Sequence, residues 1–318
     1  MTTRDPVFIQ APAKVNLALA VGPRVAEDEP GGGLHPISSW MVGVDLFDDL
    51  LITPLAAGHF SRYAILWSPE ARRTRDIDWS VTKDLAVRAH LRLESAVGRR
   101  MPVQMKLEKR IPLGAGLGGG SSDAAAMLIG LNELFDLRLS TAELETVALE
   151  IGSDVPFFLG RLSALVEGIG DRVERLPAPE DLWLALFIPE FECATALIYA
   201  GFDEHAPPAE IADQFAQGVS SIQRIVKSPR VDPEQPFNHL AAVAIRQRPE
   251  LGELMSAIED LAERPAHLSG SGAGFFVICD SLMHAEALVR TAESQQPLVG
   301  YAVQGFDREA RTKSEFGA

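Results

Sequence analysis

The stretch that decides the fold reads Pro112-Leu113-Gly114-Ala115-Gly116-Leu117-Gly118-Gly119-Gly120-Ser121-Ser122-Asp123-Ala124-Ala125. Five glycines among the seven residues Gly114–Gly120 permit positive φ angles and let a ligand approach the backbone closely. The Ala- and Leu-rich segment Ser121–Phe135 predicts a helix, with Ser121, Ser122 and Asp123 at its N-cap and first turn. Its first N–H groups and positive dipole end would face the loop. The pattern predicts an anion site, and phosphate is the usual anion.

Two familiar phosphate-binding motifs fit this loop poorly. A Walker A loop ends in Gly-Lys-Ser/Thr, and no Lys follows Gly120. Gly114–Gly119 matches G-x-G-x-x-G, but Lys109–Pro112 precedes it where a dinucleotide-binding motif has a tight turn from strand to helix. A third alternative is a glycine hinge without a ligand, for which one or two glycines suffice.

Composition limits the function classes. The 318 residues are 47% hydrophobic and 23% charged, which is typical of a soluble globular protein of one large or two ordinary domains. The formal net charge of -15 argues against a nucleic-acid partner. Cys193 and Cys279 lie far apart, so neither a zinc site nor a disulfide framework is expected. With no secretory signal and no apolar run of roughly 20 residues, we expect a cytoplasmic protein without a membrane partner.

The local patterns alternate between strands and helices, which predicts an α+β class. Predicted strands are Val7–Gln10, Val15–Val21, Ile37–Val44, Asp49–Thr53, Val103–Leu107, Ala164–Glu167, Trp183–Ile188 and Phe275–Cys279. Predicted helices, besides Ser121–Phe135, are Lys83–Ala96, a helix capped by Ser140 or Thr141 that ends near Ile151, Leu251–Leu261 and Leu282–Ala292. Predicted loops are Glu27–Gly33, the Gly/Ser loop Leu268–Gly274, and Asp203–Pro236 as a surface excursion with one short helix. The predicted domains are residues 1–158 and 159–318.

Four ordered motifs resemble those of the GHMP kinase superfamily. The loop from Pro112 to Ala125 is similar to its Pro-x-x-x-Gly-Leu-Gly-Ser-Ser-Ala signature. Ala11–Leu17, Gly152–Phe158 and Leu268–Ala273 are similar to motifs of one branch, the 4-diphosphocytidyl-2-C-methyl-D-erythritol kinases. The resemblance implies a two-lobed fold, an active-site cleft between an N-terminal ATP-binding domain and a C-terminal substrate-side domain, and transfer of phosphate from ATP to an alcohol group.

The resemblance also implies residue roles on the ATP side. The phosphates would be bound by Pro112, Gly114, Gly116, Leu117, Gly118, Gly119, Gly120, Ser121 and Ser122. Two roles stay open for Ser121 and Ser122: contact with Mg²⁺ or a phosphate oxygen, for which Ser122 is the metal candidate, or capping of the helix only. Asp154 would accept the proton of the substrate hydroxyl, with Lys14 facing it across that hydroxyl. The alternative is that Lys14 and Asp154 form a structural buried ion pair.

On the substrate side, the resemblance implies roles for Asn16, His35, Thr195, Tyr199, Gly270 and Gly272. Asn16 would bind the erythritol hydroxyls, and His35 would hydrogen-bond a cytosine edge, with Tyr199 stacking on the ring. Leu34 stands where the family has Tyr, which removes one stacking face worth about 1–3 kcal/mol. The Leu268–Gly274 loop would form a wall of the acceptor pocket, or be only a tight turn.

Three other functions compete with this hypothesis. A kinase of the same superfamily with a homoserine- or mevalonate-like substrate would need a cation for the substrate carboxylate, and the segments assigned to the acceptor side offer none. A non-catalytic ligand-binding relative fits Leu34, but Lys14 and Asp154 are both retained. A dinucleotide-dependent oxidoreductase is the third alternative.

Overall fold

The computed structural model describes residues 4–29 and 31–307. The strands are β1 (Val7–Val21), β2 (Ile37–Pro54), β3 (Arg62–Trp67), β4 (Val103–Lys109), β5 (Ser163–Gly168), β6 (Arg172–Arg175), β7 (Trp183–Pro189), β8 (Phe237–Asn238), β9 (His267–Leu268), β10 (Phe275–Cys279) and β11 (Leu298–Gln304). The helices are α1 (Leu85–Val97), α2 (Gly119–Leu134), α3 (Thr141–Leu149), α4 (Thr195–Asp203), α5 (Pro208–Ile225), α6 (Ala241–Gln247), α7 (Pro249–Ala262) and α8 (Leu282–Gln295). The α+β class is confirmed. Among the described residues, no helix is long and apolar enough to cross a membrane.

The chain divides into two compact units. Of the described residues, the first unit contains 4–13, Leu46–Pro112 and Gly118–Arg161, and the second contains Lys14–Asp45, Leu113–Leu117 and 162–307. The change at Arg161 lies close to the predicted boundary after residue 158. The sequence-based prediction divided the chain at one point only. It therefore did not anticipate that residues 14–45 and 113–117 belong to the second unit. The strands β1 and β2 each contribute residues to both units.

The first unit is built on a sheet in which β4 lies between β2 and β3. Residues Asp49–Pro54 of β2 run antiparallel to β4, and β3 runs parallel to it. Residues Val103, Met105 and Leu107 of β4 are fully buried, as their alternation predicts. Helices α1 and α2 pack against each other. Ser140 caps α3 in a capping box with Glu143, which decides between the two predicted caps.

The second unit contains an antiparallel sheet of strand order β11-β7-β10-β9. Phe187 of β7 and Phe275 of β10 are register partners with ring centroids 5.5 Å apart, and both side chains are buried. Helix α8 packs on this sheet. Elsewhere in this unit, β2 pairs with β5, β5 with β6, and β1 with β8.

The prediction of one short helix within Asp203–Pro236 is wrong, because α5 is 18 residues long. Its buried residues are Ile211, Gly218, Ile222 and Ile225, which form a narrow apolar stripe at helical spacing. The many charged and polar residues of the segment lie on the other faces and concealed this stripe. One residue of the predicted loop Glu27–Gly33, Pro30, lies outside the described residues.

The pH dependence of stability provides a test of the buried His90. Burial lowers the pKa of this imidazole, although Glu94 acts in the opposite direction. The unfolded chain, with a His pKa near 6.5, takes up a proton that the folded ring resists, so stability present above about pH 6.5 is lost as the pH falls toward the folded pKa. We expect His90→Gln to reduce this slope, which is at most about 1.4 kcal/mol per pH unit for one proton.

Urea unfolding between about pH 5 and 7 measures that slope. His59→Gln, at an exposed position of the same unit, is the matched control. Equal slopes for the parent and His90→Gln would contradict the prediction.

Candidate active site

The glycine loop adopts the conformation that its composition predicts. Gly114, Gly116 and Gly118 have φ angles of 67°, 71° and 70°. Helix α2 begins at Gly119, two residues before the predicted start, and the amide of Ser122 already donates to the carbonyl of Gly118 at 2.9 Å. The prediction that Ser121, Ser122 or Asp123 caps the helix is therefore wrong: Gly118 is the N-cap, and no side chain of the described residues caps the helix.

The early start of α2 changes which groups an anion meets. The first N–H groups of a helix have no partner within the helix and carry its positive dipole end. In α2 these groups belong to glycines that precede the predicted helix and to Ser121, its predicted first residue. The backbone alone therefore offers an anion site at this end of α2.

Lys14 is bound to the glycine loop within the second unit. Its Nζ donates to the carbonyl oxygen of Gly116 at 2.7 Å and to Oδ1 of Asn16 at 2.6 Å. Lys14 and Asn16 are two residues apart on β1, and their side chains are nearly fully buried. The Asn16 amide also donates from Nδ2 to Ser39 Oγ at 2.8 Å. The structure thus brings together three predicted site residues: Lys14, Asn16 and Gly116.

The second Gly/Ser loop packs on the same carbonyl. Ser269 Oγ donates to Gly116 O at 3.2 Å and accepts from the backbone N–H of Asn16 at 3.3 Å. A Cβ built on Gly116 would lie 2.2 Å from Ser269 O, so only glycine fits there. A Cβ on Gly270 would lie 3.5 Å from Lys14 Nζ, which places this loop beside the lysine. The loop is thus more than a tight turn.

Sequence reasoning missed the residue that fixes this loop from the other side. Asn238, at the end of β8, donates from Nδ2 to the carbonyls of Leu268 and Gly270 at 2.9 and 2.7 Å. Ser269 was also missed as a hydrogen-bonding residue. In the sequence, Asn238 stands between the apolar residues Phe237 and Leu240. A polar side chain among apolar neighbours is only a weak sign of a structural role, and it does not identify the hydrogen-bond partner.

The predicted base-binding residues form a second group in the same unit. The rings of His35 and Tyr199 have centroids 5.3 Å apart, and His35 Nδ1 lies 2.9 Å from Gly22 O. Thr195 begins α4, and its hydroxyl is hydrogen-bonded to Ser271 Oγ at 2.8 Å. Leu34 is 52% exposed and supplies no aromatic face. Gly272, with φ of 84°, lies further along the loop that carries Ser271.

A buried charge cluster supports the start of α2 in the first unit. Lys109 Nζ lies 2.6 Å from Asp48 Oδ2 and 2.5 Å from Asp123 Oδ2, and all three side chains are almost completely buried. Burial lowers the pKa of Lys109, but Asp123 and Asp48 more than offset this and raise it. Burial raises the pKa of Asp123 well above its ordinary value, against the opposing effect of Lys109. Lys109 lies on the buried face of β4, as the alternation of buried and exposed residues along the strand indicates.

The cluster leaves two polar atoms next to the anion site. Among the described residues, Ser122 Oγ and Asp123 Oδ1 are buried without a hydrogen-bond partner. Buried polar atoms of this kind are costly unless a ligand completes them. A hydroxyl and a carboxylate oxygen are ligands that Mg²⁺ accepts, with water and phosphate oxygens completing its shell. Among the described residues, no group of three or more His, Cys, Asp or Glu is placed to hold a metal ion.

Asp154 and Pro112 complete the predicted set. Asp154 is half-buried in the turn that precedes the short 3₁₀ helix Pro156–Leu159, whose side chains are buried. Pro112 is buried and is the last residue of the segment Leu46–Pro112 in the first unit. The roles predicted for both stay predictions.

Substitution of Gly116 tests the close approach of the two glycine loops. Gly116→Ala places a Cβ at a positive φ and against a backbone oxygen, so we expect a loss of about 2–4 kcal/mol in unfolding free energy. Gly120→Ala is the matched control, because its Cβ would meet only Leu85 at 3.4 Å and Ala is favoured over Gly in a helix. Chemical denaturation measures both, and equal losses would contradict the prediction.

Removal of the buried lysine tests the charge cluster. Lys109→Met leaves two carboxylates buried without their cation, so we expect a loss of about 3–5 kcal/mol in unfolding free energy. Lys106→Met, on the exposed face of the same strand, is the control, for which we expect a change of about 0.5 kcal/mol or less. A loss for Lys109→Met no larger than that of the control would show that the cluster does not stabilise the fold.

Comparison with known proteins places the chain among kinases. The family "GHMP kinases N terminal domain" matches residues 84–161. A 4-diphosphocytidyl-2-C-methyl-D-erythritol kinase of Nocardia farcinica is 32% identical over 98% of this chain and 94% of the relative. A kinase of the same name from Symbiobacterium thermophilum is 34% identical over 83% of this chain and 87% of the relative.

Solved structures agree with this assignment. The crystal structure of a 4-(cytidine 5'-diphospho)-2C-methyl-D-erythritol kinase has a TM-score of 0.69 and 30% identity, covering 94% of this chain and 100% of that one. A homoserine kinase from Cytophaga hutchinsonii has a TM-score of 0.71 but 18% identity over 97% of each chain, which shows a shared fold alone. The chain belongs to the 4-diphosphocytidyl-2-C-methyl-D-erythritol kinase family of the GHMP kinases.

Proposed function

We propose that this enzyme uses ATP to phosphorylate a hydroxyl of 4-diphosphocytidyl-2-C-methyl-D-erythritol. The observation that carries the proposal is the glycine loop, whose backbone turns into the start of α2 and whose Gly116 carbonyl is held by Lys14. A relative named 4-diphosphocytidyl-2-C-methyl-D-erythritol kinase aligns over nearly the whole chain. The proposed compartment is the cytoplasm, where ATP is available, and the acidic chain needs no nucleic-acid partner.

The proposed reaction is a phosphoryl transfer, in which positioning and charge neutralisation matter more than covalent chemistry. In the proposal, the backbone of the glycine loop and the first N–H groups of α2 bind the phosphates of ATP. The net charge of the protein does not oppose this, because backbone N–H groups act locally.

Proton transfer is assigned to Asp154 and Lys14. In the proposal, the Asp154 carboxylate accepts the proton of the substrate hydroxyl, and the ammonium of Lys14 stabilises the alkoxide that develops. The role assigned to Lys14 is supported by the position of its Nζ, which lies 2.7 Å from the carbonyl oxygen of Gly116 in the glycine loop. The use of both residues in one reaction rests on the family resemblance.

Mg²⁺ is proposed as the cofactor that accompanies ATP. Ser122 Oγ and Asp123 Oδ1, which lack partners among the described residues, would be the protein atoms nearest to it. The ion, when bound, neutralises charge on the phosphate oxygens. Lys109 keeps the Asp123 side chain in place through its other oxygen.

Substrate recognition is assigned to the residues around His35. In the proposal, Tyr199 stacks on the cytosine ring, and Asn16 and Thr195 contact the remainder of the substrate. Both ends of the Asn16 amide already have partners, Lys14 and Ser39, so the substrate would share these hydrogen bonds. Leu34 replaces the second stacking ring with an aliphatic side chain.

A coupled ADP-release assay tests the reaction. We expect turnover with 4-diphosphocytidyl-2-C-methyl-D-erythritol and none above background with mevalonate or homoserine. Asp154→Asn removes the proton acceptor and should lower kcat by about 10²–10⁴-fold with little change in thermal stability.

The neighbouring Ser153→Ala is the control, because Ser153 is exposed in the same turn. Turnover by Asp154→Asn equal to that of the parent would remove this residue from the mechanism. ADP release with homoserine alone would overturn the substrate assignment and leave the phosphotransferase assignment intact.

A further inference from the structure

Asn238 uses its side-chain amide to tie the Leu268–Gly274 loop to the end of β8. Nδ2 donates to the carbonyl oxygens of Leu268 and Gly270 at 2.9 and 2.7 Å, and Oδ1 accepts from the backbone N–H of Leu240 at 2.9 Å. Carbonyls only accept and a backbone N–H only donates, so these partners fix which end of the amide faces the loop. Both hydrogens of the amide nitrogen are therefore given to the loop.

Strand pairing relates Asn238 to the strand that carries Lys14. Strand β8 runs parallel to β1, with Asn238 opposite Leu19. The next residue, His239, donates from its backbone N–H to Leu19 O at 3.0 Å. Lys14 and Asn16 lie on the same strand β1. The residue that holds the loop is thus itself held in register against the strand of the lysine.

The two carbonyls held by Asn238 lie on either side of Ser269 in the chain, and Ser269 contacts the acceptor of Lys14. Ser269 Oγ donates to Gly116 O at 3.2 Å and accepts from the backbone N–H of Asn16 at 3.3 Å. Lys14 Nζ donates to the same Gly116 O at 2.7 Å. A shift of Ser269 would therefore move the carbonyl that orients the ammonium.

Gly270 brings the loop backbone against the lysine directly. Its φ angle is 58°, and a Cβ built on it would lie 3.4 Å from Asn16 Oδ1 and 3.5 Å from Lys14 Nζ. The carbonyl of this same residue accepts from Asn238. One hydrogen bond therefore fixes how closely the loop approaches the ammonium.

We propose that Asn238 is a positioning residue for the phosphoryl transfer, which holds the Lys14 ammonium in place through Ser269 and the Gly116 carbonyl. The inference rests on the proposed function, because the role of Lys14 in the reaction is taken from there. Asn238 acts through the loop, since its amide nitrogen has no hydrogen left to offer a ligand. Its loss should therefore lower the rate of transfer more than the binding of ATP or of the substrate.

Asn238→Asp tests this role with a side chain of the same shape. A carboxylate has no hydrogen to donate and would face two carbonyl oxygens, so the loop should move away from β8. We expect kcat to fall by about 10–100-fold, because a misplacement of about 1 Å can cost this much, and both KM values to change by less than about threefold. Gln235→Glu, the same chemical change at an exposed residue nearby, is the matched control and should keep the kcat of the parent.

Chemical labelling of Lys14 measures its position without relying on turnover. Reductive methylation with formaldehyde and cyanoborohydride, read by peptide mass spectrometry, should modify Lys14 of the parent slowly, because this residue is 3% exposed. The exposed Lys106 gives the reference rate. We expect Lys14 to be modified about tenfold faster or more in Asn238→Asp, because the loop that covers it opens. Cys279, buried in the same unit, should stay unreactive toward a thiol reagent, which establishes that the unit is folded.

A double-variant comparison tests the path through Ser269. Asn238→Ala removes the amide without adding a charge, and Ser269→Ala removes the hydroxyl. If Asn238 acts through Ser269, the loss of kcat in the double variant should be clearly smaller than the product of the two single losses. Losses that multiply would overturn this path. Asn238→Ala also takes the place of Asn238→Asp in the labelling experiment if the latter makes Cys279 reactive.

The labelling separates this inference from the proposed function. Faster modification of Lys14 in the Asn238 variants supports the role of Asn238 in holding the lysine even if the parent releases no ADP with the proposed substrate. A parent that turns over the substrate, with Lys14 modified equally fast in parent and variants, would support the reaction and refute the role of Asn238. An equal loss of kcat in Gln235→Glu would refute it as well.

Discussion

Lys14 Nζ and Ser269 Oγ both donate to the carbonyl oxygen of Gly116, and this shared acceptor holds the two glycine loops of the second unit together. The approach is possible only because Gly116 lacks a side chain, since a Cβ there would meet Ser269 O. A buried ammonium needs acceptors, and here a backbone carbonyl and the Asn16 amide provide them. The constraint therefore fixes at once the loop conformation, the lysine position and the Ser269 loop.

The start of α2 depends on a different balance of charges in the first unit. A buried ammonium and two carboxylates are tolerated together because the ammonium of Lys109 donates a short hydrogen bond to each carboxylate. Asp48 extends the network by accepting from the backbone N–H of Ile111 at 2.8 Å, which fixes the chain as it enters the glycine loop. The cluster thus gives the anion site a rigid support, and the site itself is made of backbone groups that carry no net charge.

The His35 region shows how one helix can hold a buried ring from several sides. Helix α4 brings an aromatic ring, a carboxylate and a buried Phe to the same imidazole.

The sequence by itself determined the features that are local or periodic. The glycine run, the Ala- and Leu-rich composition of α2, the alternation in β4 and the strand Phe275–Cys279 follow from backbone freedom, helix propensity and side-chain spacing, which need no distant partner. The α5 helix was underestimated because polar and charged residues together outnumber its apolar stripe, and the start of α2 was misplaced because Gly118, not a serine, caps it. In both cases the local sequence signal was weak: glycines obscured where α2 begins, and polar and charged residues obscured the length of α5.

Only the tertiary structure decided the partners. Gly116 and Ser269, Lys109 and Asp48, and His35 and Asp203 are separated by many tens of residues, and nothing in their spacing relates them. The pairing of buried charges and the use of a shared carbonyl arise because folding removes water from groups that must then find each other. A sequence states which residues can carry hydrogen bonds and charge, but the folded chain selects which of them meet.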